Sequence, residues 1–340
     1  MRASRKPTLR DVARRAGVSS ATASYILNGQ SEQMRIAPGT QARVRTAAAE
    51  LSYRPNPAAR SLRTASTRTI GMITDLVAGG QFASQMIMGV SATARRLEHV
   101  VVVGESGGDP ELEGLLLEEM LDRRVDGIVY ATLVTAEITI PDALRQQRAV
   151  LLNCVDRSAS LPAVVPDEYQ GGHAAADALL AGGILDGIHV VGEHPNVGGI
   201  AGRLRYDGLR DGLRAGGAEL AADVLCEWAV SPAYDAVLAF LDNGCRARAM
   251  VCLNDRVAMG AYQALGDHGL CVPEDVSVVS FDGSDLAQWL RPPLTSIVLP
   301  YAELGSRAVE LLLGTGPLGT GVERLPMPVS RGDSVRTRRA

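Results

Sequence analysis

Apolar positions change their spacing along the chain. Between residues 8 and 53 they recur three and four apart: Leu9, Val12, Ala13 and Ala16, then Ala23, Ile26 and Leu27, then Val44, Ala47, Ala48 and Leu51. This period predicts three short helices. Thr8 with Asp11 three residues on suits a helix start, and Gly17 the left-handed turn that ends it. Ser19 can cap a second helix running to about Asn28, closed by Gly29, and a third spans about Pro38 to Leu51. Two short helices around a Gly-containing turn predict a helix-turn-helix.

From Thr69 the pattern becomes short apolar runs alternating with helical stretches. Strands are predicted at Thr69–Thr74, Val100–Gly104, Gly127–Ala131, Val150–Cys154, Gly187–Gly192, Ala249–Leu253, Val276–Phe281 and Thr295–Leu299. Helices are predicted between them, among others at Glu111–Arg123, Gln170–Ala181, Asp255–His268 and Ala302–Leu313. The expected fold is therefore α/β: a three-helix head, then two doubly wound lobes of parallel sheet with helices on both faces.

Composition changes this picture in three ways. A chain of 340 residues exceeds one compact core, and 46% hydrophobic with 21% charged residues is ordinary for a soluble globular protein. The net charge of −4 hides an asymmetry: residues 1–68 hold 13 basic and 3 acidic side chains, and the rest hold 21 basic and 35 acidic. A head of +10 on a body of −14 points to a polyanionic partner for the head. Lys6 is the only lysine and lies in the polar N-terminal arm, which excludes a P-loop and a Schiff-base enzyme. The five cysteines, Cys154, Cys226, Cys245, Cys252 and Cys271, form no C-x-x-C pair and read as free thiols in a reducing compartment. No apolar run reaches ~18 residues and MRASRKPTLRDVARRAG lacks a leader's apolar core, so a cytoplasmic, nucleoid-associated protein is expected.

In a helix-turn-helix the second helix enters the major groove by its N-terminal end. Ser20, Ala21 and Tyr25 lie off the packed face and are expected at base edges; the Ala21 methyl suits thymine. Ser19, Thr22 and Ser24 are expected at phosphates, with Asn28 closing the same surface; simple capping is the alternative for any one of them. Beyond the head, Asn56 is a good N-cap and Pro57 a good first helical residue for a short segment from Ala58 to Arg63. Two turns are too short to be stable alone and should order on DNA or a partner chain. Leu62 stands among arginines with nothing local to pack on, unless the segment is a plain linker.

TLRDVARRAGVSSATASYILNG followed by YRPNPAARSL resembles the head and hinge of the LacI–GalR family of bacterial repressors. The resemblance implies paired hinge helices in the minor groove, Leu62 prying open a central base step, Ala59 at the close contact, and Arg60 and Arg63 at phosphates. The chain departs from the family in a long loop from Gln30 to Ile36 and in Ala37, where a serine usually caps the third helix. The implied body is similar to periplasmic sugar-binding proteins, with a ligand between lobes joined by three crossing strands. The expected organisation is a DNA-binding domain at 1–54, a hinge at 55–67 and a body at 68–335. The body divides into a first lobe, about 68–165 plus 299–318, and a second, about 166–298 plus 319–335.

Open α/β sheets bind ligands beyond the carboxyl ends of their strands. Asp75, Asn153, Asn254 and Asp282 fall there, with loop capping as the plainer alternative. The resemblance adds Arg205 in RYDGLRDGL, Trp228 as a ring for a sugar face, and Tyr301 and Phe82. Such a set suits a polyol: Asp282 and Arg205 can make charge-assisted hydrogen bonds to hydroxyls while Trp228 covers an apolar face. Asn153 replaces a frequent aspartate, Leu299 a frequent glutamine, and Val77 to Gly80 a usual Asn-Pro loop, which points to an unusual effector.

Two rival readings remain. Gly104 to Gly108 spells G-x-S-x-G, so Ser106 could be a hydrolase nucleophile, although Asp109-Pro110 places the helix start several residues too late. A ligand-binding protein without regulatory function would need no basic head. The histidines His99, His173, His189, His194 and His268 form no metal-binding spacing, and Arg331-Gly332-Asp333 is a coincidental adhesion tripeptide. The expectation is a non-enzymatic repressor without cofactor or metal. It would be a homodimer on a pseudo-palindromic operator, answering to a small ligand of the sugar type and touching no membrane. No leucine-heptad tail follows the body, which argues against a tetramer, and RGDSVRTRRA reads as a frayed end.

Overall fold

The structure, a computed structural model, describes residues 7–53, 66–76, 84–192 and 199–337. It divides into two units, Met1–Thr67 and Arg68–Ala340. In the first, helices α1 (Leu9–Ala16), α2 (Ser20–Leu27) and α3 (Pro38–Glu50) close on a small core in which Val12, Ala23 and Val44 are fully buried. The Asp11 amide donates to the Thr8 hydroxyl and the Thr8 amide to the Asp11 carboxylate at 3.0 Å, a complete capping box. Gly17 turns the chain at φ 67°. Ala37 offers α3 no side-chain cap, and the Gln41 amide instead donates to the Ile36 carbonyl at 2.8 Å. The extra loop length is taken up by a turn in which the Ile36 amide donates to the Ser31 carbonyl at 2.9 Å.

The second unit contains two six-stranded sheets. The first is parallel throughout, in the order β11 (Val322–Leu325), β5 (Ala163–Pro166), β4 (Ala149–Asp156), β3 (Ile128–Ile138), β1 (Thr69–Thr74) and β2 (Val100–Glu105). The second runs β12 (Val329–Ser330), β10 (Thr295–Val298), β9 (Ser277–Asp282), β8 (Ala249–Cys252), β6 (Ile188–Gly192) and β7 (Val224–Leu225), antiparallel only between β12 and β10. Central strands such as β4 are apolar almost without interruption because helices cover both faces. Helices α4 (Ser84–Arg96), α5 (Pro110–Asp122), α6 (Asp142–Arg145) and α12 (Tyr301–Leu313) flank the first sheet, and α7 (Glu168–Ala181), α8 (Ile200–Ala215), α9 (Val230–Asp242), α10 (Asp255–Asp267) and α11 (Asp285–Trp289) the second.

The chain passes from one sheet to the other three times, after Pro166, Val298 and Leu325. Two expectations are corrected here. Residues 319–335 do not all join the second lobe, because Val322–Leu325 pairs with β5 at the edge of the first sheet. Nor is the C-terminal segment frayed through residue 337. The Ser334 hydroxyl is buried; it donates to the Val278 carbonyl at 2.6 Å and accepts from the Thr295 amide at 2.8 Å. Those bonds stitch a charged, turn-rich sequence onto the second sheet, and local composition could not show them.

Candidate functional sites

On the head, Ser20 and Ala21 are exposed on the first turn of α2, with Tyr25 half-buried one turn further on. Ser19 caps the helix, its hydroxyl accepting from the Thr22 amide at 3.1 Å and lying 2.8 Å from the Thr22 hydroxyl. The Asn28 amide donates to the Ser24 carbonyl at 2.7 Å and to the Ser24 hydroxyl at 3.1 Å. Both pairs are thus locally engaged, and Ser20 and Ala21 offer the exposed end of the helix. Asn56, Ala59, Arg60 and Leu62 of the hinge, and Phe82 of the expected pocket, lie outside the described residues.

In the body the candidate pocket residues separate into two groups. Arg205 is 2% exposed in the middle of a buried polar cluster. Its Nε donates to Glu168 Oε2 at 2.6 Å, Nη2 to Glu168 Oε1 at 3.1 Å and Nη1 to the Leu253 carbonyl at 2.6 Å. The guanidinium carbon lies 4.7 Å from the Phe281 ring centroid and 5.5 Å from that of Trp228. Two glycines let the helices approach closely enough for this pairing. A Cβ on Gly208 of α8 would lie 2.0 Å from the Tyr169 carbonyl oxygen, and one on Gly172 of α7 would lie 2.2 Å from the Arg205 carbonyl oxygen. Among the described residues the Trp228 indole N–H is buried without a partner.

Asp282 ends β9 at φ 108°, a backbone region that non-glycine residues seldom occupy and that concentrates at functional sites. Burial, followed by the charge of Asp255, pushes its carboxyl up to about 8, while Arg205 and Arg256 pull it back. Tyr301 is nearly buried beside it; burial first and the Asp282 charge second raise its phenol, so it remains a donor. A cavity of about 620 Å³ lies between the lobes, with Gln85, Met88 and Ala302 on one side and Arg256, Met259 and Trp289 on the other.

Asp282 holds its proton more tightly folded than unfolded. Its ionisation therefore costs stability progressively as pH rises from the unfolded value of 3.8 to about 8. Asp282→Asn is expected to melt above the parent chain at pH 8.5, with the gap closing toward pH 4. Scanning calorimetry across that range checks it; a gap independent of pH would deny Asp282 the raised value.

Asn153, Asn254 and Asp75 instead hold the frame. Asn153 is buried and spends both amide protons on the Thr132 and Leu133 carbonyls, each at 3.0 Å. The Asn254 side chain caps α10, accepting from the Val257 amide at 2.8 Å. Asp75 accepts from the Leu133 amide at 2.9 Å. For these three the plainer reading, loop capping, describes the bonds they make.

Sequence reasoning missed Glu168 and Thr135. Glu168 reads as an ordinary acid in a first helical turn, and its partner lies 37 residues away. The Thr135 hydroxyl, on β3 of the first lobe, lies 2.8 Å from Asn153 Oδ1 and 3.0 Å from Glu168 Oε1. It has one proton for two acceptors, so the polar contact between the lobes is shared between them.

Ser106 is no nucleophile elbow. It is buried, its hydroxyl donates to the Thr74 carbonyl at 3.3 Å, and the following helix begins only at Pro110, capped by Asp109. Among the described residues, no helix is long and apolar enough to cross a membrane.

A helix-turn-helix unit followed by two sheets with buried polar groups between them defines a DNA-binding regulator with a ligand-binding body. Comparison with known proteins agrees. Residues 8–56 match the profile of bacterial regulatory proteins of the lacI family, and residues 172–335 match a periplasmic binding protein-like domain. The HTH-type transcriptional regulator RegA of Clostridium saccharobutylicum is 30% identical over 309 residues, covering 90% of this chain and 91% of the relative. The HTH-type transcriptional repressor PurR of Vibrio campbellii is 31% identical over 317 residues, with 90% and 91% covered. The structure of the Lac repressor dimer bound to operator and the anti-inducer ONPF superposes with a TM-score of 0.82 at 26% identity, covering 98% of this chain and all of that one. The chain belongs to the LacI family of transcription regulators, and it is a regulator rather than an enzyme.

Proposed function

We propose that the protein is a cytoplasmic, nucleoid-associated repressor that binds a pseudo-palindromic operator as a homodimer and answers to an uncharged polyol between its lobes. The observation that carries the effector half is the cluster of buried Arg205 and Tyr301 with half-buried Trp228 and Asp282, where a stacking ring and hydrogen-bonding groups stand together between the sheets. On the DNA side Ser20, Ala21 and Tyr25 read bases, Ser19, Thr22, Ser24 and Asn28 set the register, and Leu62 acts as the minor-groove wedge beside Asn56, Ala59 and Arg60. The ligand acts through its different affinity for two lobe arrangements, which alters the support of the hinges. In this reading Asp75, Asn153 and Asn254 serve the effector by framing the pocket through their backbone bonds, and Phe82 is a further effector contact.

The test is selection of genomic fragments on the full-length protein followed by footprinting, with and without a sugar panel. One protected, roughly two-fold symmetric site, whose occupancy a panel member changes, is the expected result. Binding no tighter than to bulk competitor DNA rejects the reading.

The exposed edge of the first sheet supports the homodimer. Val100 is 62% exposed and Val103 39%, on the free edge strand β2, and Leu115 on α5 is 60% exposed. An uncovered apolar sheet edge is an aggregation liability, and a second copy of the same face would cover it. Val100→Asp is expected to give a monomer by analytical ultracentrifugation with operator binding lost; an unchanged dimer would place the interface elsewhere.

A further inference from the structure

We infer that Glu168 is a built-in anion seated on Arg205, and that it sets the charge class of the effector, admitting neutral polyols and rejecting phosphorylated or carboxylated ones. This rests on the reading that the effector binds between the lobes. Arg205 has five N–H bonds. One from Nε and one from Nη2 form a two-point clamp on the Glu168 carboxylate, and one from Nη1 goes to the Leu253 carbonyl. That clamp is the geometry with which arginine captures a carboxylate or phosphate of a ligand. Here a residue of the same chain fills it, with both side chains all but withdrawn from solvent.

Two N–H bonds on Arg205 and the indole N–H of Trp228 have no partner among the described residues. They can donate to hydroxyl or ring oxygens. An anion at the same place would meet a guanidinium whose charge is already met, and it would lie beside the Glu168 carboxylate clamped to it. Glu168 does not depend on Arg205 alone for its position. The Thr135 hydroxyl approaches it from the first lobe, and the close contact of α7 with α8 at Gly172 and Gly208 fixes its backbone.

The experiment uses the full-length protein, its Glu168→Gln variant and the Glu168→Gln/Arg205→Gln double variant. Each is melted with increasing millimolar inorganic phosphate at constant ionic strength. Glu168→Gln opens the clamp and leaves Arg205 as a buried cation without a counter-ion. Its melting temperature is expected to climb by several degrees with phosphate, through binding to the folded state alone. The parent chain and the double variant are expected to stay level. If Glu168→Gln is recovered unfolded, phosphate present during refolding is expected to restore it. The inference is overturned by a folded Glu168→Gln that responds no more than the double variant, by failed rescue on refolding, or by a parent chain that phosphate stabilises through Arg205. None of these readouts uses the natural ligand. A sugar panel without a hit would therefore count against the effector cleft and leave the phosphate result standing.

Discussion

Replacing Arg205 with alanine is expected to destabilise the body by about 3–5 kcal/mol, because a buried carboxylate at Glu168 and the Leu253 carbonyl both lose their donor. For a domain of this size that corresponds to a fall in melting temperature of roughly 10 °C. The head is a separate unit with its own core, so its helices should survive the change. Below the new melting point operator binding should persist, but no ligand should alter it. Calorimetry on the single variants and on the Glu168→Gln/Arg205→Gln pair separates charge from packing. The pair leaves no lone charge and is expected to lie closer to the parent than Arg205→Ala does. An Arg205→Ala protein that melts with the parent would show that the clamp contributes nothing net.

The second large effect is expected in the hinge sequence. If Leu62 is the proposed wedge, Leu62→Ala removes the large apolar side chain that holds a base step open. Unstacking energy of a few kcal/mol would then go uncompensated, and operator affinity should fall about 100-fold. Affinity for bulk DNA, which rests on phosphate contacts, should change little. Fluorescence anisotropy on operator and random duplexes at one salt concentration measures both. Equal losses on the two duplexes would make Leu62 a folding residue rather than a wedge.

Regular periodicity carried most of the architecture. The helix starts at Thr8 and Ser19 and eight of the twelve strands follow from caps and apolar runs that local chemistry determines. The missed strands β5, β7, β11 and β12 are two to four residues long. Three of them, β7, β11 and β12, are sheet edges that no sustained apolar run marks, and they exist because a neighbouring strand offers hydrogen bonds. The cleft divides along similar lines. Arg205, Trp228 and Asp282 stand out by residue type and placement. Glu168 and Thr135 acquire their meaning only when α7, α8 and β3 meet, and nothing in EYQGG or TLVTAE marks that meeting. Asn153 and Asn254 were legible as polar residues at strand ends, but their bonds turn inward to the frame.

The three passages between the sheets bear on how such genes can be shuffled. Exchanging one lobe with a relative would require matched breakpoints near Pro166, Val298 and Leu325 at once. Exchanging the DNA address requires one, between Thr67 and Arg68. Recombination can therefore give an existing sensor a new set of promoters in a single event. A new sensor for existing promoters must arrive as an entire body or be built by point mutation within the old one.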